Sequence, residues 1–339
     1  MDTDKLRKIL NDRGESKYRF LQIYKAVFSD LIFNFSEMTI LPQKLRKDLG
    51  KEIIILSLKI KEIQKGKEVD KALFQLSDNN FIETVLMKRD YDKKTVCVSS
   101  QVGCALGCKF CATGQMGFIR NLNWQEIVDQ VLFFAKQEQN KKLNIVFMGM
   151  GEPLLNYDNV MKAIRVLNDK QGFNLAARAI SISTAGIIPE IKKLIDENLQ
   201  INLAISLNSP DEKQRSEIMP VNRKYPLKDL MKAAKEYVRK TKRKLFFEYV
   251  LLKGVNDDME SAQKLIHLLQ GEPLFHLNLI RYNKTGAQFK SPDPKTVKEF
   301  QKKLEKNDSN NINVTLRHSF GNEIKAACGQ LSTEYAKSK

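Results

Sequence analysis

Residues 95–111 read TVCVSSQVGCALGCKFC, and this stretch decides the fold. An apolar run typical of a buried strand leads directly into a C-x3-C-x2-C pattern formed by Cys104, Cys108 and Cys111. Three thiolates on one tight, glycine-containing loop can hold a soft metal centre. A structural zinc normally requires a fourth Cys or His nearby, and all three histidines lie far downstream. The pattern therefore favours an iron–sulfur cluster with one iron left open.

The same stretch opens a regular alternation of strands and helices. Strand-like runs occupy residues 95–102, 144–150, 179–186, 201–208, 244–252 and 275–283. Helical patterns lie between or after them, at residues 123–137, 159–169, 188–197, 227–240 and 262–269. Apolar strands that alternate with amphipathic helices predict a parallel sheet covered by helices. About six such units indicate an α/β fold with a partial (β/α)6 barrel, followed by a late strand at 313–320.

The chain before this alternation shows a different pattern of predicted secondary structure. Residues 19–31 and 42–50 show helical patterns, and three short strand-like runs follow at 53–60, 71–77 and 81–87. We therefore predict two domains. Residues 1–90 form a small α+β accessory domain, and residues 91–339 form a larger second domain with a C-terminal segment.

Charge and composition narrow the function. The 339 residues include 57 Lys and Arg against 40 Asp and Glu, a net charge of +17 that suggests a polyanionic partner. Residues 223–244 alone hold ten basic side chains, which fit either a phosphate-binding face or a solvated helix surface. No apolar run is long enough for a membrane span or a signal peptide, so we expect a cytoplasmic protein without membrane contact. The odd count of five cysteines argues against a disulfide framework.

Together with a second motif, the cysteine loop resembles that of the radical S-adenosylmethionine (SAM) superfamily. Phe110 precedes the last cysteine, as is common there, and the glycine-rich MGMGEP at 148–153 ends the second predicted strand. The resemblance implies a 4Fe–4S cluster whose open iron chelates SAM. Residues with polar side chains end other predicted strands as well, where β/α barrels build their active sites: Ser183, the run Ser206-Leu207-Asn208 with two polar side chains, and Asn283.

The likeness extends along nearly the whole chain. CVSSQVGC, KFCATGQMGFIRNL, MGMGEPLLN, SISTAGIIP, LAISL, GVND and AACGQL occur in that order. They are similar to the motifs of the radical SAM adenine-C2 methyltransferases of ribosomal RNA and tRNA. The resemblance implies methylation at C2 of an adenine in the peptidyl-transferase centre of 23S rRNA, and of an adenine next to the anticodon in tRNA. It also implies a monomer that receives electrons from a donor such as flavodoxin or ferredoxin.

The resemblance assigns roles to individual residues. Cys328 would take a methyl group from one SAM, Cys97 would resolve the enzyme–RNA crosslink through a transient disulfide with Cys328, and Glu83 would accept a proton. A second SAM would supply the radical that activates the S-methyl group. The positions that match SAM contacts are Gly151, Glu152, Ser183, Ser206, Leu207, Asn208 and Asn283. Position 208 departs from the family, which usually has His there.

Two alternatives stay open at this point. The relatives that methylate C8 of the same ribosomal adenine share these cysteines, and LIRYNKT and SFGNEIKAACGQL lean towards them, whereas MGMGEPLLN favours C2. A non-catalytic RNA-binding protein with a structural metal is the other alternative. Cys97, Cys328 and the Gly-Glu loop argue against it.

Overall fold

The computed structural model describes residues 1–88, 94–197, 199–306 and 312–333. The chain begins with three helices, α1 (Thr3–Asp12), α2 (Lys17–Phe28) and α3 (Gln43–Glu52). An antiparallel meander follows, made of β1 (Lys59–Lys65), β2 (Val69–Gln75) and β3 (Phe81–Met87). The predicted boundary between residues 90 and 91 lies outside the described residues.

The second part alternates strands and helices. Its strands are β4 (Lys94–Cys97), β5 (Gln101–Gly103), β6 (Phe118–Asn121), β7 (Leu143–Phe147), β8 (Ile180–Thr184), β9 (Asn202–Ser206), β10 (Leu245–Leu251), β11 (Phe275–Arg281) and β12 (Asn313–Arg317). Its helices are α4 (Ala112–Gln115), α5 (Trp124–Gln137), α6 (Tyr157–Asn168), α7 (Ile188–Asp196), α8 (Glu212–Ile218), α9 (Leu227–Thr241), α10 (Met259–Leu269) and α11 (Pro294–Glu305).

The main sheet confirms the predicted partial barrel. Its order is β1-β2-β3-β4-β7-β8-β9-β10-β11-β12. Every pairing from β4 to β12 is parallel, and β12 follows the sixth β/α unit as the late strand. The antiparallel meander extends the same sheet, because β3 pairs with β4 and places Val85 opposite Cys97.

Two predicted strands differ in the structure. The run 95–102 divides after Cys97, and β5 leaves the main sheet to pair with β6 in a separate two-stranded sheet. Ser99 marks the turn, because its hydroxyl donates to the Glu83 carbonyl at 2.6 Å. The run 53–60 yields a strand only from Lys59 onwards, since Ser57 bonds Asp129 of α5 through its backbone N–H and its hydroxyl. Helices α1 and α11, the short helices α4 and α8, and strand β6 were not predicted.

The hydrophobic core runs without a break from the N-terminal helices into the barrel. Tyr24 of α2 donates its hydroxyl to Asp169, which follows α6, at 2.9 Å. Ser183 and Ser206 lie at the carboxyl ends of the parallel strands β8 and β9, and Asn283 lies just after β11. Among the described residues, no helix is long and apolar enough to cross a membrane.

Candidate active site

The backbone holds the cysteine loop from both sides. The Cys104 N–H donates to the Gly117 carbonyl at 2.8 Å, and the Lys109 N–H donates to the Ile218 carbonyl of α8 at 3.0 Å. Gly103, just before the loop, has φ +73°, and a Cβ there would lie 1.9 Å from the Gly117 oxygen. Only glycine permits this turn from β5 into the loop, so Gly103 is needed for the loop geometry.

The three thiols of the loop are buried, and their pKa values are raised. Burial raises the pKa of Cys104 to about 12, and burial together with the other two thiols raises that of Cys108 well above its usual value. Because these thiols favour the neutral form on their own, a cationic centre must stabilise them as thiolate ligands. No group of three or more His, Cys, Asp or Glu among the described residues is arranged around one point for a lone metal ion. Cysteine thiolates are the ligands by which proteins hold iron–sulfur clusters.

Backbone N–H groups of the residues that follow Cys111 lie near its sulfur. Burial raises the pKa of its thiol, and the nearby Gly114 and Thr113 N–H groups oppose that rise. Donors aimed at a cysteine sulfur stabilise the thiolate and tune the potential of an iron–sulfur cluster. A Cβ at Gly114 would come within 3.0 Å of the Cys108 backbone, so this close approach also requires glycine.

The MGMGEP loop packs against the chain that leads to the cysteines. A Cβ at Gly149 would lie 2.6 Å from the Val98 carbonyl oxygen, and one at Gly151, which has φ +97°, would lie 2.5 Å from the Gln101 Cβ. The Gln101 side-chain oxygen accepts the Glu152 N–H at 2.8 Å. Both glycines therefore bring the carboxyl ends of β4 and β7 together, a packing reason for the motif that spacing alone did not show.

Glu152 is a buried carboxyl with backbone partners. One oxygen accepts the Leu154 N–H at 3.1 Å, and the other accepts the Ala185 N–H at 2.8 Å. Burial raises the pKa of this carboxyl to about 7, while the bond from Ala185 opposes that rise. The thiols of Cys104 and Cys108 are close enough to interact with it electrostatically. Glu152 thus connects the cysteine loop to the end of β8.

The other predicted SAM-contacting residues lie at strand ends as expected. Ser183 and Ser206 are half-buried in the last residues of β8 and β9. Asn208 adopts φ +55°, a region that Asn tolerates, and its side-chain oxygen accepts the Val250 N–H at 2.9 Å. Asn283 donates to the Cys328 carbonyl at 3.1 Å. In the described structure, the side chains of Asn208 and Asn283 thus bond to backbone groups of neighbouring segments.

Arg215 of α8 is a site residue that the sequence did not indicate. The side chain is fully buried and donates to the carbonyls of Ala185, Ser206 and Leu207 at 2.8, 3.1 and 3.0 Å. Burial lowers its pKa to about 10, while the nearby Cys108 thiol opposes that shift. The guanidinium therefore joins the ends of β8 and β9 beside the cysteine loop. An arginine inside DEKQR carries no local signal of burial.

The two distant cysteines approach each other, although 97 and 328 lie far apart in sequence. Cys97 ends β4, where burial, followed by the neighbouring Cys328 thiol, raises its pKa to about 12. Cys328 is an exposed residue, but other atoms surround its sulfur. This burial of the sulfur raises the pKa of the thiol to about 11. All five cysteines are free thiols.

A C-terminal segment, defined here as residues 321–333, brings Cys328 to the cysteine loop. The Ala112 N–H donates to the Gly329 carbonyl at 2.8 Å, and the Thr113 hydroxyl donates to the Leu331 carbonyl at 2.6 Å. Glu83 of β3 reaches the same segment, because its Oε2 accepts the Ser332 N–H at 2.9 Å. The structure thus gathers the predicted acceptor cysteine, resolving cysteine and proton acceptor around one loop.

Comparisons with known proteins agree with this geometry. The Radical SAM superfamily model matches residues 98–266, and the model of the ribosomal RNA large subunit methyltransferase N-terminal domain matches residues 1–55. A probable dual-specificity RNA methyltransferase RlmN of Dictyoglomus thermophilum is 46% identical over 100% of this chain and 97% of its own. The chain belongs to the radical SAM RNA methyltransferases.

Other members of this family are about equally similar. A ribosomal RNA large subunit methyltransferase Cfr of Bacillus velezensis is 43% identical over 99% of this chain and 97% of its own. A radical SAM methyltransferase crystal structure from Sphaerobacter thermophilus superposes with a TM-score of 0.92 at 42% identity, covering 98% of this chain and 97% of that one. Membership implies a 4Fe–4S cluster and SAM as cofactors and RNA as substrate.

The basic stretch 223–244 spans the length of one outer helix. Helix α9 begins near the site and ends on the opposite side of the barrel, since it returns the chain to the start of β10. Lys232 pairs with Asp229, and Lys240 pairs with Glu236 on the same helix. The side chain of Lys235 lines an open groove of 380 Å³ between α9 and α10. The phosphate-binding role of this surface stays a prediction.

Proposed function

We propose that this RNA methyltransferase modifies C2 of a specific adenine in the peptidyl-transferase centre of 23S rRNA, and of the adenine next to the anticodon in tRNA, through an S-methylated Cys328. One observation carries the proposal. The C-terminal segment bonds the cysteine loop through Ala112 and Thr113 and also reaches Glu83, and the Cys328 thiol is close enough to Cys97 to add to the effect of burial in raising the pKa of that thiol. A cysteine that takes up and then donates a methyl-derived carbon needs this position.

The cofactor residues in this proposal are those at the strand ends. Cys104, Cys108 and Cys111 would bind the cluster, and Gly151, Glu152, Ser183, Ser206, Leu207, Asn208 and Asn283 would surround SAM. When bound, the cluster and SAM supply the methyl group and a carbon radical that removes a hydrogen atom from it. Because a ring carbon such as C2 is electrophilic, it cannot attack the SAM methyl group directly, so a radical route answers a real chemical obstacle.

The chain's own residues perform the polar steps. The Cys328 thiolate attacks the SAM methyl carbon, and the old carbon–sulfur bond breaks with its electron pair leaving on S-adenosylhomocysteine. The S-methylene radical left by that hydrogen removal would add to the ring carbon, and the adduct would give up one electron, which the cluster could take back. Glu83 then accepts the proton from that ring carbon, whose electron pair returns to the ring. The Cys97 thiolate then attacks the Cys328 sulfur, so a disulfide forms as the sulfur–carbon bond to the base breaks. The electron pair of that bond leaves with the carbon, which takes up a proton and becomes the methyl group. An external thiol reduces the disulfide before the next turnover.

The main alternative is methylation at C8. The similarity to both RlmN and Cfr proteins lies between 42% and 46% identity, so identity alone does not separate them. MGMGEPLLN supports C2, whereas LIRYNKT and SFGNEIKAACGQL favour C8. Chromatographic comparison of the methylated nucleoside from a reaction with purified 23S rRNA against 2-methyladenosine and 8-methyladenosine standards decides between them, because the two isomers have the same mass. We expect 2-methyladenosine, and 8-methyladenosine would overturn the C2 assignment.

The remaining elements of the proposal concern partners and organisation. We propose that residues 1–90 contribute to RNA binding and residues 91–339 carry catalysis, that the enzyme acts as a cytoplasmic monomer, and that flavodoxin or ferredoxin donates electrons. Residues 1–90 hold 18 basic against 14 acidic side chains, so most of the net positive charge lies on the rest of the chain. This excess of positive charge supports RNA contact by residues 91–339. A parallel reaction with tRNA tests the second substrate. If the tRNA is not methylated in that reaction, tRNA is not a substrate.

A further inference from the structure

Glu83 has a buried cationic partner that no motif indicated. Lys71 lies on β2, and its Nζ is 2.8 Å from the Glu83 Oε1. In the β2–β3 register Leu73 faces Glu83 and Lys71 faces Val85, so the pair is a diagonal contact on one face of the meander. Lys71 is only 8% exposed and Glu83 only 5% exposed, so water screens their attraction weakly.

The pair also contacts the segment that carries Cys328. The second oxygen of Glu83 accepts the Ser332 N–H at 2.9 Å, and the Lys71 ammonium lies 3.4 Å from the Lys325 carbonyl oxygen. A cavity of 290 Å³ adjoins this group, and its other charged lining residues are Glu62, Glu323 and Lys325. Lys71 therefore stands between the carboxylate and the C-terminal segment, in contact with both.

We propose that Lys71 is a positioning residue that holds Glu83 as an oriented carboxylate, ready to accept the proton from the methylated ring carbon. The proposal rests on the proposed function, in which Glu83 is the proton acceptor. A carboxyl group buried without a cation favours its neutral form, and a neutral carboxyl cannot accept that proton. An ammonium in contact with one oxygen keeps the charge and fixes the rotamer, which leaves the group directed at the end of the C-terminal segment.

Three variants test this role. Lys71→Met removes the ammonium but keeps much of the side-chain volume, Lys71→Arg restores a cation, and Glu83→Gln removes the base itself. Lys88→Met is the matched control, because Lys88 forms a similar contact of 2.7 Å with buried Asp70 in the same meander. The measurements are Cys328 methylation by intact-mass spectrometry, the covalent enzyme–RNA adduct on denaturing gels, and the rate of product formation.

We expect Lys71→Met to methylate Cys328 normally, to accumulate the enzyme–RNA adduct as Glu83→Gln does, and to lose roughly 100-fold in turnover, within the range for general-base catalysis. Lys71→Arg should recover most of the rate, and Lys88→Met should stay near the wild-type rate.

Two results would overturn the role of Lys71. One is full turnover by Lys71→Met while Glu83→Gln stalls. The other is loss of Cys328 methylation in Lys71→Met without rescue by Lys71→Arg, which would show a purely structural lysine. Turnover by Glu83→Gln at the wild-type rate would instead refute the proton-acceptor role of Glu83, which is part of the proposed function.

Discussion

Gly103→Ala and Gly107→Ala form a matched pair that tests how the cysteine loop is built. Both glycines have positive φ, +73° and +61°, so alanine costs each position about 1–2 kcal/mol of backbone strain. At Gly107 nothing lies within 4 Å of the new Cβ. At Gly103 the Cβ would lie 1.9 Å from the Gly117 oxygen, so the two strands of the β5–β6 sheet must separate.

That separation has a calculable cost. It breaks the 2.8 Å bond from Cys104 N–H to the Gly117 carbonyl, worth about 1 kcal/mol net. Overpacking adds about 1–3 kcal/mol, which brings Gly103→Ala to roughly 3–6 kcal/mol in total. We expect urea unfolding of the apo-proteins to show this loss for Gly103→Ala and only about 1–2 kcal/mol for Gly107→Ala. Iron content after anaerobic reconstitution should fall much further in Gly103→Ala. Equal stability and equal iron content in the two variants would refute this account of the loop.

Three further predictions concern other parts of the molecule. Arg215→Met removes the donor to three buried carbonyls and should cost about 3–5 kcal/mol in urea unfolding; a loss below about 1 kcal/mol would contradict the bridging role. Lys235→Glu combined with Lys240→Glu should weaken RNA binding and flatten the salt dependence by roughly 0.7–0.9 per lost phosphate contact, with SAM cleavage intact; an unchanged slope in filter binding would remove this surface from the RNA site. Arg120 lowers the pKa of Asp78 to about 2, so the pair stabilises the fold above pH 4 and loses that effect as the pH falls towards 2. Since Asp78 is largely exposed, the stability difference between wild type and Asp78→Asn should be below about 1 kcal/mol at pH 7 and vanish near pH 2; a difference that persists there would contradict the ion-pair origin.

Much of the fold was predictable because its signals are local. The alternation of apolar strands and amphipathic helices predicted the parallel barrel, and the structure confirms it. The division of the run 95–102 was not predictable, because it depends on Ser99 meeting the Glu83 carbonyl and on Gly149 approaching Val98. These contacts join distant parts of the chain, and no window of sequence contains both partners.

The candidate site shows the same limit. The cysteine loop is a short motif whose chemistry is visible in its spacing, whereas the Gly-Glu loop, Cys97 and Cys328 acquired roles only through the resemblance. Lys71 and Arg215 are ordinary basic residues in a strongly basic chain, and only tertiary burial distinguishes them. The same limit explains Asn208, since its bond to the Val250 N–H depends on the neighbouring strand.

The pairing of β3 with β4 has a consequence for how such enzymes can be recombined. Val85 faces Cys97 across this pair, and side chains in a strand alternate between the two faces of a sheet. A slip of one residue would turn Cys97 to the opposite face and separate it from Cys328. The N-terminal meander and the barrel are therefore not interchangeable modules. A chimera that joins these parts from two relatives will keep its thiol chemistry only if the crossover preserves this register.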